Sequence, residues 1–244
     1  MTIRAVFYDL DGTLRIGRPT GRQFFADCAA RLGLVITPQL RRYAAQWEHY
    51  YWAESSEKEV DGLNFPDERA FWTNYSQRQV MKLGASREQA EKLAPQISAF
   101  MATNYRPEDV LLDGLHETFA NLRVRGIKLG VISNRQQPFI EYLRELGIAE
   151  YFDFALAAGE INAWKPAKEI FLHAIRQMDV AASDVVYVGD NYYADVVGAR
   201  NAGLNPVLID PDGLFDAPGC PVIQSHGQLI PLLERSELWL GNEK

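Results

Sequence analysis

The second half of the chain alternates between short apolar runs and amphipathic segments. Four runs rich in β-favouring residues, at 127–133, 152–157, 184–190 and 206–210, are separated by segments with helical periodicity. Strands that alternate with helices form right-handed βαβ units around a parallel sheet. The alternation therefore predicts an α/β fold, with a Rossmann-like parallel sheet covered by helices on both faces.

A further strand pattern lies at the N-terminus, far from the other four in sequence. Residues 3–9 are almost continuously apolar, which is typical of a strand buried on both faces. Residues 15–21 carry two glycines and a proline, which is typical of a loop. From there to about 105 the pattern is helical, with Thr37-Pro38 as one helix start, Ser86-x-x-Gln89 as a capping box at another, and Pro95 as a kink or restart. We therefore predict a catalytic core at 1–14 and 108–244, and an inserted all-helical cap at 15–107. Because ligands bind beyond the carboxyl ends of such strands, the insertion is expected to act as a lid.

Composition and charge narrow the classes of partner. The net charge is -7, from 25 basic and 32 acidic residues, which argues against nucleic acid as a partner. No apolar run has transmembrane length and no signal-peptide pattern opens the chain, so we expect a cytoplasmic protein without a membrane partner. Cys28 and Cys220 are expected to be free thiols. The four histidines are scattered along the chain, so we predict no metal site built from histidines. The sequence leaves monomer and homodimer both open.

Polar residues stand where the predicted strands end. They are Asp9 and Asp11 after the first strand, Ser133 and Asn134 after the second, Lys165 in the loop after the third, and Asp190 after the fourth, with Asp195 following in the next helix. The carboxyl ends of parallel strands meet at one edge of a sheet. We therefore expect these side chains to converge.

The residue types at this edge suit phosphate chemistry. Asp9 and Asp11, two residues apart, can face the same substrate as nucleophile and acid/base. Clustered carboxylates repel one another unless a hard cation joins them, so Asp190 with the first two predicts an Mg²⁺ site. A metal ion together with Lys165 neutralises charge on phosphate oxygens, and Ser133 can donate a hydrogen bond to the same oxygens. Asp195 either orients the lysine or lies outside the metal ligands.

The same residues carry a resemblance to a known family. Asp9-Leu10-Asp11-Gly12-Thr13, Ile132-Ser133-Asn134, Lys165-Pro166 and the segment 189–195 resemble the four motifs of the haloacid dehalogenase-like hydrolase superfamily, in its order and spacing. The helical insertion resembles the C1 cap of its phosphatase branch. The resemblance implies a phosphomonoester hydrolase acting on a small phosphorylated metabolite, in which Asp9 forms an aspartyl-phosphate and Asp11 protonates the leaving alcohol and then activates water. It further implies that Mg²⁺ is held by Asp9, Asp190 and the main-chain carbonyl of Asp11, and that Ser133, Asn134 and Lys165 bind the phosphoryl group.

Several alternatives stay open. A phosphosugar mutase of the same superfamily uses the same aspartates, and the motifs separate it poorly. A 2-haloacid dehalogenase is disfavoured because that subgroup lacks an acid at the position of Asp11, and a non-catalytic binding protein is disfavoured by the complete motif set. Arg15, Arg18, Arg135 and Gln136 are open between substrate contact and surface position. The many aromatic residues of the helical segment suit a stacking platform for a base or sugar, although core packing of a helical bundle is preferred.

Overall fold

The structure, a computed structural model, describes residues 3–235. Within them the strands are β1 (Ala5–Tyr8), β2 (Arg15–Arg18), β3 (Glu108–Leu111), β4 (Lys128–Ser133), β5 (Phe154–Ala157), β6 (Val185–Gly189), β7 (Asn205–Ile209) and β8 (Val222–Ile223). The helices are α1 (Gly21–Arg31), α2 (Pro38–Trp52), α3 (Ser56–Asn64), α4 (Glu68–Lys82), α5 (Arg87–Asn104), α6 (Leu115–Val124), α7 (Ile140–Glu145), α8 (Ala158–Ile161), α9 (Lys168–Met178), α10 (Gly198–Asn201) and α11 (Leu229–Leu233). A π-helical turn, Tyr192–Val197, leads into α10.

The main sheet has six strands in the order β5-β4-β1-β6-β7-β8, and every ladder is parallel. Ala5 of β1 pairs with Lys128 on one side and with Val185 on the other. The chain fills one side of β1 first and then crosses to the other, so the strand order reverses at β1. In open α/β sheets such a reversal opens a ligand crevice at the carboxyl ends of the strands.

Helices cover both faces of this sheet, as the sequence predicts. Val6 and Tyr8 of β1 pack in one wholly buried cluster with Phe119 of α6. Ala5 and Phe7 point to the opposite face, into a second cluster with Phe171 of α9. Burying a large apolar side chain contributes about 1.5–3 kcal/mol, so two filled faces fix the register of the central strand.

The chain divides into two compact units: a core unit, up to residue 16 and from 111 onward, and a helical unit, residues 17–110. The helical unit contains α1–α5 and has its own buried core, which includes Phe25, Ala29, Val80 and Ile97. Each of its helices begins with a side-chain cap, from Thr20, Thr37, Ser55, Asp67 and Ser86. The predicted capping box of Ser86 and Gln89 is present. In residues 3–235 no helix is both long and apolar enough to span a bilayer.

Some local predictions are wrong. Pro95 lies inside one continuous helix, α5, so the predicted restart is wrong, whereas the predicted kink stays a prediction. The segment predicted as a loop after residue 14 contains β2, which forms a two-stranded sheet with β3. Helix α3 and the short edge strand β8 have no counterpart in the sequence prediction.

Candidate active site

A buried ion cluster lies at the carboxyl end of β1. The Lys165 ammonium Nζ is 2.7 Å from Asp9 Oδ1 and 2.7 Å from Asp195 Oδ1. All three residues are buried, at 5% exposure or less. The Tyr187 hydroxyl lies 3.0 Å from the same ammonium and 3.2 Å from Asp195 Oδ1. Two carboxylates and one ammonium therefore share a site that excludes bulk water.

Asn134 holds the backbone of Lys165 in place. Its side-chain Nδ2 donates to the Lys165 carbonyl at 2.9 Å, and its Oδ1 accepts from the Lys165 N–H at 2.7 Å. The loop after α8 is thereby tied to the end of β4. The amide of Asn134 is occupied by this pairing, whereas the sequence predicts that it contacts phosphate.

Asp190 stands at the end of β6, against the loop that follows β1. Its backbone N–H donates to Thr13 Oγ1 at 2.9 Å, and the Thr13 hydroxyl donates to Asp190 Oδ1 at 3.3 Å. Gly12 lies against the same carboxylate, since a Cβ on it would stand 2.4 Å from Asp190 Oδ2. The backbone of Gly12 has φ +99, in the left-handed region that favours glycine. A glycine thus permits the close approach of the two strand ends.

Asp11 follows β1 and is bound by two arginines. Arg135 donates from Nε to Asp11 Oδ2 at 2.9 Å and from a terminal nitrogen to Oδ1 at 2.8 Å. Arg15 donates from Nε to Oδ1 at 2.8 Å. The Ser133 hydroxyl lies 3.5 Å from Asp11 Oδ2. Arg135 also lies over the ring of Tyr142, with its guanidinium carbon 4.3 Å from the ring centroid.

These surroundings set the ionisation of the three central groups. Burial raises the pKa of Asp9, although the charge of Lys165 opposes the rise. Burial disfavours the charged form of Lys165, but Asp195 and Asp9 outweigh it and hold its pKa well above the usual value. Burial also acts to raise the pKa of Asp11, yet the hydrogen bonds of Arg135 and the charge of Arg15 lower it. Asp11 is therefore held as a carboxylate ion.

The donor set fits a hard divalent cation. One oxygen each of Asp9, Asp190 and Asp195 lies within 4.8 Å of the others. Asp9 Oδ2 is buried and has no hydrogen-bond partner among residues 3–235. Asp195 accepts from Lys165 and Tyr187 at Oδ1 and from the Asn191 N–H at Oδ2. The carboxylates of Asp9 and Asp190 are therefore better placed than Asp195 to bind Mg²⁺.

Three residues that contact the site were not predicted as site residues from the sequence. Tyr187 and Thr13 are apolar-strand and turn residues in the sequence, and only the register of β1 and β6 places them beside Lys165 and Asp190. His226 lies about 200 residues beyond Thr13 and is hydrogen-bonded to the Thr13 carbonyl through Nε2, at 2.8 Å. The motif neighbour Arg135, which the sequence left open, is bonded to Asp11.

The sequence of the chain is similar to those of known proteins. A sequence profile for haloacid dehalogenase-like hydrolases matches residues 3–203. Haloacid dehalogenase-like hydrolase domain-containing protein 3 of Xenopus laevis is 29% identical over 241 residues, covering 96% of each chain. Ribulose-1,5-bisphosphate 5-phosphatase of Halopiger xanaduensis is 33% identical over 114 residues, which cover 46% of this chain and 48% of that protein.

A solved structure gives the same result at the level of the fold. The crystal structure of a 2-haloacid dehalogenase from Pseudomonas syringae pv. Tomato DC3000 is similar over 96% of this chain and 99% of that chain, with a TM-score of 0.54 and 27% identity. The family profile spans far more than half of the 244 residues. The protein therefore belongs to the haloacid dehalogenase-like hydrolase family.

Proposed function

We propose that the protein is an Mg²⁺-dependent phosphomonoester hydrolase that acts on a small phosphorylated metabolite through an aspartyl-phosphate. The observation that carries the proposal is the Asp9 carboxylate, which is held by Lys165 through Oδ1 while the buried Oδ2 has no partner within residues 3–235. One oxygen is fixed and the other is available to a metal ion or an electrophile. A phosphoryl group beside Asp9 Oδ2 would be close to the Lys165 ammonium and to a carboxylate nucleophile.

The roles follow from these positions. Asp9 attacks phosphorus and the bond from phosphorus to the substrate oxygen breaks. Asp11, which must first leave its two arginine partners and take up a proton, gives that proton to the leaving oxygen. Asp11 then takes a proton from the water that attacks phosphorus of the aspartyl-phosphate, which releases phosphate and restores Asp9. Lys165 and Ser133 bind the phosphoryl oxygens. Mg²⁺ would be held by Asp9, Asp190 and the Asp11 carbonyl, and it would neutralise charge on the phosphoryl oxygens.

Three residues act on the others rather than on the substrate. Asn134 fixes the backbone of Lys165, so we assign it a positioning role in place of the phosphate contact expected from the sequence. Asp195 holds the Lys165 ammonium, and Thr13 orients Asp190. The proposed core boundaries of 1–14 and 108–244, and a lid role for the helical segment, belong to the same proposal.

Asp11 favours phosphate chemistry over dehalogenation, whereas the named relatives include both activities. The Halopiger relative is named as a phosphatase, and the Pseudomonas structure as a dehalogenase. Halide leaves as a stable anion and needs no proton, whereas an alkoxide leaving group does. Asp11, beside Ser133 at the same edge as Asp9, supplies the proton carrier that only the second reaction requires.

The nucleophile is tested with Asp9→Asn in a screen of phosphorylated metabolites, measured as phosphate release with and without Mg²⁺. We expect Asp9→Asn to lower kcat by at least about three orders of magnitude on any substrate the wild type hydrolyses, because the amide cannot form the acyl phosphate. Asp179→Asn is the matched control, since Asp179 is exposed and follows α9, whose last turn bonds Lys128 at the opposite edge of the sheet. Undiminished release by Asp9→Asn contradicts the assignment.

Two further assays separate the alternatives. Incubation with a hexose 1-phosphate gives free phosphate from a hydrolase and the isomeric phosphate from a mutase. Incubation with 2-chloropropionate gives chloride only from a dehalogenase. We expect phosphate in the first assay or in the metabolite screen, and no chloride in the second.

A further inference from the structure

The helical unit contains a cavity that the proposed chemistry does not use. Its volume is about 880 Å³, and residues of α1, α2, α4 and α5 line it. Sites for small molecules commonly occupy roughly 300–1,000 Å³ and often lie between the helices of a bundle. All the lining residues belong to the helical unit, so the cavity is a feature of that unit alone.

Aromatic rings form one part of its wall. Trp52 lies 5.8 Å from Trp72 and 5.2 Å from Tyr75, measured between ring centroids. Trp72 is 42% exposed although it lines the cavity, so part of its ring is open to a ligand. Phe25 adds an apolar surface. Rings arranged in this way offer stacking faces to a flat ligand.

Polar side chains of low overall exposure form another part of the wall. Gln79 is 3% exposed, Ser76 4% and Ser98 8%. In the described range 3–235 their side chains make no hydrogen bond, although all three line the cavity. Their polar atoms are not among the buried atoms without a partner in that range, so these atoms stay accessible from the cavity. Groups of this kind that converge on a cavity call for a ligand that supplies the missing partners.

A carboxylate completes the polar set and is rigidly held. Trp52 Nε1 donates to the Tyr75 hydroxyl at 3.2 Å, and that hydroxyl donates to Glu48 Oε1 at 3.2 Å. The second oxygen of Glu48 has no hydrogen-bond partner among the described residues. Glu48 therefore presents an acceptor to the cavity, whose wall also includes the amide of Gln79, which is both donor and acceptor.

We propose that this cavity binds a planar heteroaromatic ligand that carries an amino group beside a ring nitrogen, the arrangement found in aminopurines. A glutamine amide pairs with that edge through two hydrogen bonds, donating to the ring nitrogen and accepting from the amino group. Glu48 accepts a further N–H, the two serines bond the remaining polar atoms, and Trp52 and Trp72 stack on the ring. Apolar rings lack the donors that would satisfy Gln79 and Glu48, so they are poorer occupants.

Binding is tested with adenosine, which carries no phosphate, so the result does not depend on the proposed hydrolase activity. Because two tryptophans line the cavity, we expect a saturable change in tryptophan emission, matched by heat in calorimetric titration. Purine riboside, which lacks only the amino group, is expected to bind at least about tenfold more weakly. Absence of saturation with adenosine at millimolar concentration, or equal binding of the two nucleosides, overturns the proposal.

A pair of glutamine variants locates the site. Gln79→Leu is expected to weaken adenosine binding at least about tenfold, because the paired hydrogen bonds are lost. Gln77→Leu, on the same helix but lining a separate groove, is expected to bind as the wild type does. Thermal melting shows that both variants are folded. Equal binding by Gln79→Leu and Gln77→Leu contradicts the proposed location.

Discussion

Gly12 is the residue at which the backbone conformation most directly shapes the site. It combines φ +99 with a direct approach to the Asp190 carboxylate. The backbone angle and the missing side chain of Gly12 together leave the space that the Asp190 carboxylate occupies. The residue therefore links the turn after β1 to the proposed metal site.

We expect Gly12→Ala to lower both activity and stability. Its methyl group would stand 2.4 Å from Asp190 Oδ2, so the carboxylate must move, and the left-handed backbone adds about 1–2 kcal/mol of strain. Gly126→Ala is the control, since Gly126 has φ +72 and no atom within 4 Å of a built Cβ. Denaturant unfolding and phosphate release check the prediction. Equal losses in the two variants would show that backbone strain alone is responsible.

At this scale the sequence predicts residue types better than it predicts contacts. The ends of β1 and β6 supply Asp9 and Asp190, because parallel strands end at one edge of the sheet. The bonds of Asn134 to Lys165 and of Arg135 to Asp11 depend on loop conformations that no periodicity encodes. Loops fold through long-range contacts, so their side-chain partners are read only from the structure.

Among the elements, α5 shows how local signals combine. It begins with the Ser86 capping box and continues through Pro95 to Asn104. The proline removes one backbone donor, but the buried stripe that includes Ala94 and Ile97 packs along the helix and keeps it continuous. Tertiary packing outweighs the local penalty here.

We expect Ser86→Ala to lower the free energy of unfolding by about 1 kcal/mol, because the N–H of Gln89 loses its acceptor. Ser86→Asp retains an acceptor at the cap and is expected to keep most of the stability. The comparison is made by denaturant unfolding followed by far-UV circular dichroism. A loss in Ser86→Asp as large as in Ser86→Ala would contradict capping as the cause.

The elements missed by the sequence prediction share a physical reason. Strand β2 has the sequence Arg-Ile-Gly-Arg, a composition typical of a loop. Its partner β3 is separated from it in the sequence by all the helices α1–α5. Strand β8 has only two residues. Short strands acquire their conformation from a distant partner, whereas α2 has an amphipathic pattern long enough to be recognised locally.

For the molecule as a whole, a buried neutral histidine in each unit makes stability depend on pH. Burial lowers the pKa of His49 in the helical unit to about 3, and that of His226 in the core unit to about 4. Below pH 6.5 the unfolded chain gains these protons while the folded chain does not. The stability that the neutral side chains contribute is therefore lost as the pH falls from 6.5 toward these values.

We expect the free energy of unfolding of the core unit to decrease between pH 6.5 and 4, with a contribution from His226 of about 3 kcal/mol at most. His226→Gln should flatten this dependence even though the variant is less stable throughout. His173→Gln, at a half-buried position of α9, is the control for the loss of an imidazole. An unchanged slope in His226→Gln would rule out this histidine as the source.

The central position of β1 has a consequence for how the protein is made. Ala5 is synthesised well before its sheet partners Lys128 and Val185. The contacts of the helical unit are local and can form meanwhile, whereas contacts of long sequence separation form slowly. The nascent strand that leads to Asp9 must therefore stay unpaired until β4 and β6 have been synthesised. The candidate active site can therefore form only after the core unit has assembled, and the apolar strand β1 is open to chaperones until then.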